Sequence, residues 1–340
     1  MVPARSAAGV PYLRRRRIGM PIIPPEILDS VFYLYASRAD AEAGKNLGGT
    51  GFFIAVPLQV GHYIYAVTNW HVAVQKGFPV VRLNTRDGQT DIIELDSVDW
   101  IFKPNWHDLA IADVSLDFEK HKTHAITTSM ISPQEVLEKG GVGPGADIFM
   151  IGRFVDHDGG ITNQPTSRFG HISAMPQVID RSVGGSGMPS YLLDMHSRSG
   201  YSGSPVFVYQ PAIEHKGGTL SMMTGPGFLK LLGVHYGQFS ELLKIQPDPA
   251  MVLKPGREYI EGWSGMTLTV PAHAIMEILD MPKLKEPRDR VIEDQRITHA
   301  ARPVLESAAP PTTGDNPDHR EAFNRLLGAA VSRPKPDRGT

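Results

Sequence analysis

Tyr63-Ile64-Tyr65-Ala66-Val67-Thr68-Asn69-Trp70-His71-Val72 is an aromatic and β-branched run that ends on a histidine. Residues of that kind read as a strand. A side chain just past a strand end is held rigidly while it faces a cleft. Outward from this run, Val31 to Tyr35 and Gly51 to Val56 precede it. Val80 to Leu83, Asp91 to Leu95 and Leu109 to Val114 follow. Strand signals punctuated by Gly, Asn, Asp and Pro, with little helical periodicity, predict an all-β barrel or sandwich.

A second series of strands begins near Gly143 to Gly152 and continues through Ser190 to Asp194, Ser204 to Tyr209, Leu231 to Tyr236 and Met266 to Val270. Pro271 to Leu279 then reads as a short helix, with Pro in its first turn and Ile275, Ile278 and Leu279 on one face. The expected organisation is therefore a basic, flexible arm over 1–26, one strand-rich half over 27–130 and another over 131–282. From Lys283 prolines, charges and small residues dominate, which predicts a largely disordered tail over 283–340. Within it, the stripe Phe323, Leu326, Leu327 and Ala330 predicts an amphipathic helix near 317–332, which would either pack back on the chain's own barrels or dock a protein partner.

Composition narrows the function. The chain has 340 residues, 41% hydrophobic and 21% charged, with a formal net charge of −2. That charge argues against a general nucleic-acid surface. There is no cysteine, so disulfides, zinc–thiolate sites and a cysteine nucleophile are excluded. No stretch approaches the ~20 apolar residues that span a bilayer. Arg14 to Arg17 precede apolar residues, but Pro21, Pro24, Pro25, Glu26 and Asp29 interrupt any signal-peptide core. A cytoplasmic location is the expectation.

Three segments carry chemistry in the order His, Asp, Ser: Thr68 to Val72, His107-Asp108-Leu109-Ala110, and Gly200-Tyr201-Ser202-Gly203-Ser204-Pro205. A serine hydroxyl is a weak nucleophile and needs a base. Histidine suits that role because its ordinary pKa of about 6.5 lies near neutrality. A carboxylate on the other ring nitrogen fixes the tautomer and stabilises the imidazolium. Gly200 allows a turn that aims its own N–H and that of Ser202 at one point, an oxyanion hole.

These motifs resemble those of the cysteine-free bacterial branch of trypsin-like serine peptidases, which includes Deg-type proteases and glutamyl endopeptidases. The resemblance covers about Ile27 to Leu279. It implies a chymotrypsin-like pair of six-stranded antiparallel β-barrels with the active site between them. It also implies a serine endopeptidase acting through an acyl-enzyme, with His71 as base, Asp108 orienting it and Ser202 as nucleophile. Polypeptide would be the substrate, and no cofactor or metal is expected. The substrate pocket would be lined by His196, Ser197, His235, Tyr236 and Gly237. Ser197 and His235 match a hydroxyl and a histidine of the glutamyl endopeptidases and so imply preference for an acidic residue before the scissile bond. The sequence departs from the family at Tyr201, where Asn or Asp is usual. Arg17-Ile18-Gly19 looks like a zymogen cleavage site, but tyrosine at 201 offers the new N-terminus no acidic acceptor.

Other readings fare worse. An α/β-hydrolase needs Gly-x-Ser-x-Gly and histidine last, whereas position 204 is serine and His71 comes first. His107, Asp108, Asp113, His121 and His124 match no metal-ligand spacing. The competing possibility is a protease-like scaffold without activity that serves as a binding or sensing module.

Overall fold

The computed structural model describes residues 23–154, 159–179, 187–210, 213–216, 219–222, 228–244 and 259–307. Most of the predicted N-terminal arm and the predicted helix near 317–332 lie outside the described residues.

A short helix α1 (Pro25–Leu28) leads into the first sheet. Its strands are β1 (Val31–Tyr35), β2 (Leu47–Pro57), β3 (His62–Thr68), β4 (Val80–Asn84), β5 (Thr90–Ile93), β6 (Ala110–Asp113) and β7 (Ile126–Thr127), with helix α2 (Arg38–Ala43) between β1 and β2. The path runs β5-β4-β1-β2-β3-β6, and β7 pairs in parallel with β2. Between the path's two ends, the segment after β6 spans the gap: Thr85 bridges to His121, and Asp91 accepts hydrogen bonds from Lys120 and His121.

The strands read as unbroken apolar runs because both of their faces are covered. Phe32 and Leu34 of β1 join Phe53 and Ala55 of β2 in one core, whereas Tyr33 and Tyr35 pack with Ala41 and Val80. Phe52 and Ile54 face a third core, shared with Phe149, Phe207, Val234 and Ile275 from the second half. Burying each large side chain of this kind contributes about 1.5–3 kcal/mol.

Helix α3 (Gln134–Lys139) precedes the second sheet. Strands β8 (Asp147–Gly152), β9 (Thr166–Ile179), β10 (Met188–Asp194), β11 (Pro205–Gln210), β14 (Phe228–Lys244) and β15 (Tyr259–Pro271) form a closed barrel in the order β10-β15-β14-β11-β8-β9. A separate hairpin pairs β12 (Ile213–Lys216) with β13 (Thr219–Met222). Ile148, Met150, Val206 and Val208 fill the barrel, while Phe149 and Phe207 point outward to the shared core. That alternation follows from the period of two along a strand. The result is mostly β, with two antiparallel sheets and a short helix, α4 (His273–Leu279), after the last strand.

Residues 159–163, between β8 and β9, reach back to the first sheet. Asn163 donates to the Arg82 carbonyl (2.7 Å) and its backbone N–H to Asn84 Oδ1 (2.9 Å). It also accepts from Arg82 Nε (2.9 Å) at its side chain and from Asn84 Nδ2 (2.8 Å) at its carbonyl. Arg82 is fully buried, with its guanidinium 4.6 Å from the Tyr35 ring centre.

One expectation is corrected. The composition from Lys283 predicts disorder, yet Pro282–Ser307 forms a 26-residue helix, α5. Lys, Glu, Arg and Leu are strong helix formers whether or not they bury surface, and Pro282 fits a first turn. The helix start is tied down by buried Leu284, whose carbonyl accepts from the Tyr65 hydroxyl (2.9 Å), and by Arg288, which donates to that hydroxyl (3.3 Å). Burial raises the Tyr65 phenol to about 12, so it remains a neutral donor.

Candidate active site

The β3–β6 register builds the first part of the site. Thr68 stands opposite Ala110, so the residues just past the end of β3 and just before the start of β6 lie side by side. The chain after β3 turns into one π-helical turn over His71–Gln75. Buried Asn69 donates to the Asp108 carbonyl at 2.8 Å and ties the two segments together. The Asp108 carboxylate then meets His71 twice. Its Oδ1 accepts from the His71 backbone N–H at 2.9 Å, and its Oδ2 lies 2.5 Å from His71 Nδ1. A carboxylate can only accept, so Nδ1 carries a proton, and in the neutral ring Nε2 presents a lone pair. Both side chains keep a little solvent access, 16% and 13%.

Ser202 comes from the connection between β10 and β11. Gly200 and Gly203 flank it with φ of +98° and +87°, the left-handed side that glycine adopts without strain. At Gly203 the space is also closed, since a Cβ would lie 1.9 Å from the Thr50 carbonyl oxygen. The turn is held to its own barrel, where Gly203 N–H donates to the His235 carbonyl and His235 N–H to the Ser204 carbonyl, both at 2.9 Å. It is held to the first sheet through Thr50 of β2. The Thr50 N–H donates to the Ser202 carbonyl (2.8 Å) and its hydroxyl to the Gly200 carbonyl (2.7 Å). That hydroxyl also accepts from the Arg153 N–H (3.0 Å). Thr68, at the end of the strand that leads to His71, donates to the Thr50 carbonyl (2.7 Å).

Ser202 and His71 are thus placed on adjoining segments. A Cβ on Gly49 would touch both the Ser202 carbonyl oxygen, at 2.9 Å, and the side chain of Val72, at 3.0 Å. Among the described residues, the Ser202 hydroxyl makes no hydrogen bond to His71. The amides of Gly200 and Ser202 likewise have no acceptor within the described chain.

The predicted pocket residues divide. Ser197 and His235 come together, with Ser197 Oγ 2.8 Å from His235 Nε2, and both are buried. His196 is exposed, with its ring against Gly265. The Tyr236 ring is buried in the core shared by the two sheets, its hydroxyl 2.8 Å from Ser190 Oγ. Gly237 pairs with Leu268 across the β14–β15 ladder.

Sequence reading missed three residues. Thr50 joins the two halves at the turn; the small-residue run Gly48-Gly49-Thr50-Gly51 signals a strand that lets another backbone approach closely. Thr267 and Thr269 of β15, two positions apart, share a face, and Thr269 stands opposite His235. Their buried hydroxyls have no partner among the described residues. Nothing in their local sequence sets them apart from ordinary strand threonines.

Among the described residues, no group of three or more His, Asp or Glu side chains is placed to hold a metal ion. No described helix is long and apolar enough to cross a membrane.

No protein-family model matches the sequence, and no curated protein matches it. Among solved structures, the chain is similar to the MamO protease domain from Magnetospirillum magneticum, at 15% identity and a TM-score of 0.44, over 74% of this chain and 97% of that one. It is also similar to Rv3671c from M. tuberculosis H37Rv in its inactive form, at 18% identity and a TM-score of 0.39, over 74% and 85% of the two chains. A third likeness is to the HtrA-type protease AlgW with decapeptide, at 16% identity and a TM-score of 0.39, over 71% of this chain and 59% of that one. Its own strand order and register give a mostly β fold of two sheets, the second closed into a six-stranded barrel.

Proposed function

We propose that this protein is a serine endopeptidase in which His71, Asp108 and Ser202 form the catalytic triad. The observation that carries this reading is the Asp108 carboxylate on His71 Nδ1 at 2.5 Å, on a segment adjoining the Ser202 turn. It leaves Nε2 as the free base.

In the proposed reaction, Ser202 Oγ attacks the scissile carbonyl as its proton passes to His71 Nε2. The carbonyl oxygen gains the negative charge and is met by the Gly200 and Ser202 amides; one such donor is worth about 2.7–4 kcal/mol of barrier. The C–N bond then breaks, with the imidazolium proton going to the leaving amine. Water repeats the sequence on the acyl-enzyme and frees Ser202. Catalytic hydrogen bonds such as Ser202–His71 often tighten only in the substrate complex.

For specificity, the buried Ser197–His235 pair and the unpartnered Thr267 and Thr269 hydroxyls support an acidic residue before the scissile bond. A carboxylate entering there would gain charge-assisted hydrogen bonds. Profiling cleavage of a peptide library tests specificity: enrichment of Glu or Asp at that position supports it, and an even distribution ends it.

One observation favours a second reading, an inactive binding module: the Ser202 hydroxyl has no partner on His71. Peptide binding by wild-type protein with no cleavage, and no change on Ser202→Ala, would favour that reading.

A further inference from the structure

We propose that Tyr201 is a positioning residue for the oxyanion turn, and that its phenol, held by Thr166 and Arg168, fixes the turn in its working shape. The inference rests on the peptidase reading above.

Glycines at 200 and 203 permit the turn's positive φ angles, but glycine permits many other conformations equally well. Thr50 holds the Gly200 and Ser202 carbonyls, and a side chain within the turn adds a second hold. Tyr201 sits between them, and its side chain runs into the barrel, fully buried among Met150, Val206 and Val208. Its hydroxyl lies 2.5 Å from Thr166 Oγ1 and accepts from Arg168 Nε at 3.3 Å. Arg168 can only donate, so the phenol oxygen accepts there and shares a second hydrogen bond with the Thr166 hydroxyl. The Arg168 guanidinium also lies 5.4 Å from the centre of the Tyr201 ring.

Thr166 and Arg168 are two positions apart on β9 and so share a face. The β8–β9 register sets them opposite Gly152 and Met150. Gly152 brings this face hard against the turn. A Cβ there would meet the Tyr201 ring at 2.8 Å and Ser204 Oγ at 2.0 Å. Rotating the turn would pull an aromatic ring from a packed core and strand the Thr166 and Arg168 groups.

The test uses the full chain and a reactive peptide ester. Tyr201→Phe keeps the ring and removes the hydroxyl. We expect kcat to fall about ten- to hundredfold, the scale of a small misplacement of catalytic groups, with KM within twofold. A peptide boronate, which forms a tetrahedral adduct on serine, should lose affinity by a similar factor. Thr166→Val should behave alike, Thr166→Ser should retain activity, and the Tyr201→Phe/Thr166→Val double variant should be no worse than either single one. Tyr201→Phe and Thr166→Val variants that fold and keep kcat within twofold of wild type would overturn the inference alone. A loss of kcat matched by loss of folded protein, with boronate affinity per folded molecule unchanged, would overturn it too. Wild-type protein that neither hydrolyses the ester nor binds the boronate would bring down the peptidase reading, and this inference with it.

Discussion

Asp108 grips His71 at two points, the backbone N–H at 2.9 Å and ring Nδ1 at 2.5 Å, so one carboxylate sets both where the histidine sits and which tautomer it adopts. Asp108→Asn changes little in shape but offers an amide N–H where the ring expects an acceptor, which favours the wrong tautomer. The expected result is a fall in kcat of about 10⁴-fold, with KM little changed and thermal stability near wild type. Steady-state kinetics on a peptide ester, beside a melting curve, checks it. Activity within tenfold of wild type would show that the pair is structural.

Thr50 connects the two sheets at the turn. Thr50→Val keeps the shape and removes the hydroxyl, leaving the Gly200 carbonyl and the Arg153 N–H without their partner. An unmet buried polar group costs about 1–3 kcal/mol. The variant should therefore melt several degrees lower and acylate more slowly at temperatures where it is fully folded. Stopped-flow acylation and calorimetry separate the two effects.

Asn163 is the second tie between the sheets, with four hydrogen bonds to Arg82 and Asn84. Asn163→Ala leaves the buried Arg82 guanidinium without one of its acceptors. Hydrogen bonds to charged groups contribute about 1.5–3 kcal/mol, so a loss of roughly 2–4 kcal/mol is expected. The folded fraction should keep its catalytic constants. Urea unfolding gives the number, and a shift below 0.5 kcal/mol would contradict this account of the tie.

His107, next to Asp108, is buried, and its pKa falls to about 4 through burial first, then the nearby His273 and Lys103 charges. Its folded value lies below its unfolded one, so it stabilises the fold fully above about pH 6.5. That stability is lost as pH falls through the window from 6.5 toward 4. The loss across the window is on the order of 2–3 kcal/mol. Urea midpoints should drop over that window in wild type and stay flatter in His107→Phe. Parallel curves for the two proteins would rule out this residue as the source.

The sequence made the strand content and the three candidate segments legible, because period-two alternation and Gly-flanked turns are local signals. Tyr63 to Thr68 runs into His71 as its pattern implies, and Pro271 to Leu279 contains a helix. What escaped detection depends on distant partners. Thr50 matters through Gly200 and Ser202, 150 positions away in the case of Gly200, and no local pattern encodes that. Tyr236 reads as a pocket residue from its place beside His235, but strand alternation sends its ring to the opposite face. The helix α5 was hidden because low apolar content reads as disorder, whereas helix propensity needs no core.

The most direct measurement is labelling with a fluorophosphonate probe, followed by mapping of the modified residue, in wild type and in Ser202→Ala. The probe reacts only with a serine whose hydroxyl is activated by a neighbouring base. One label is expected, on Ser202, that disappears in Ser202→Ala and is strongly slowed in Asp108→Asn. Folded wild-type protein that takes up no label at neutral pH, or takes it up equally in Ser202→Ala, would contradict it.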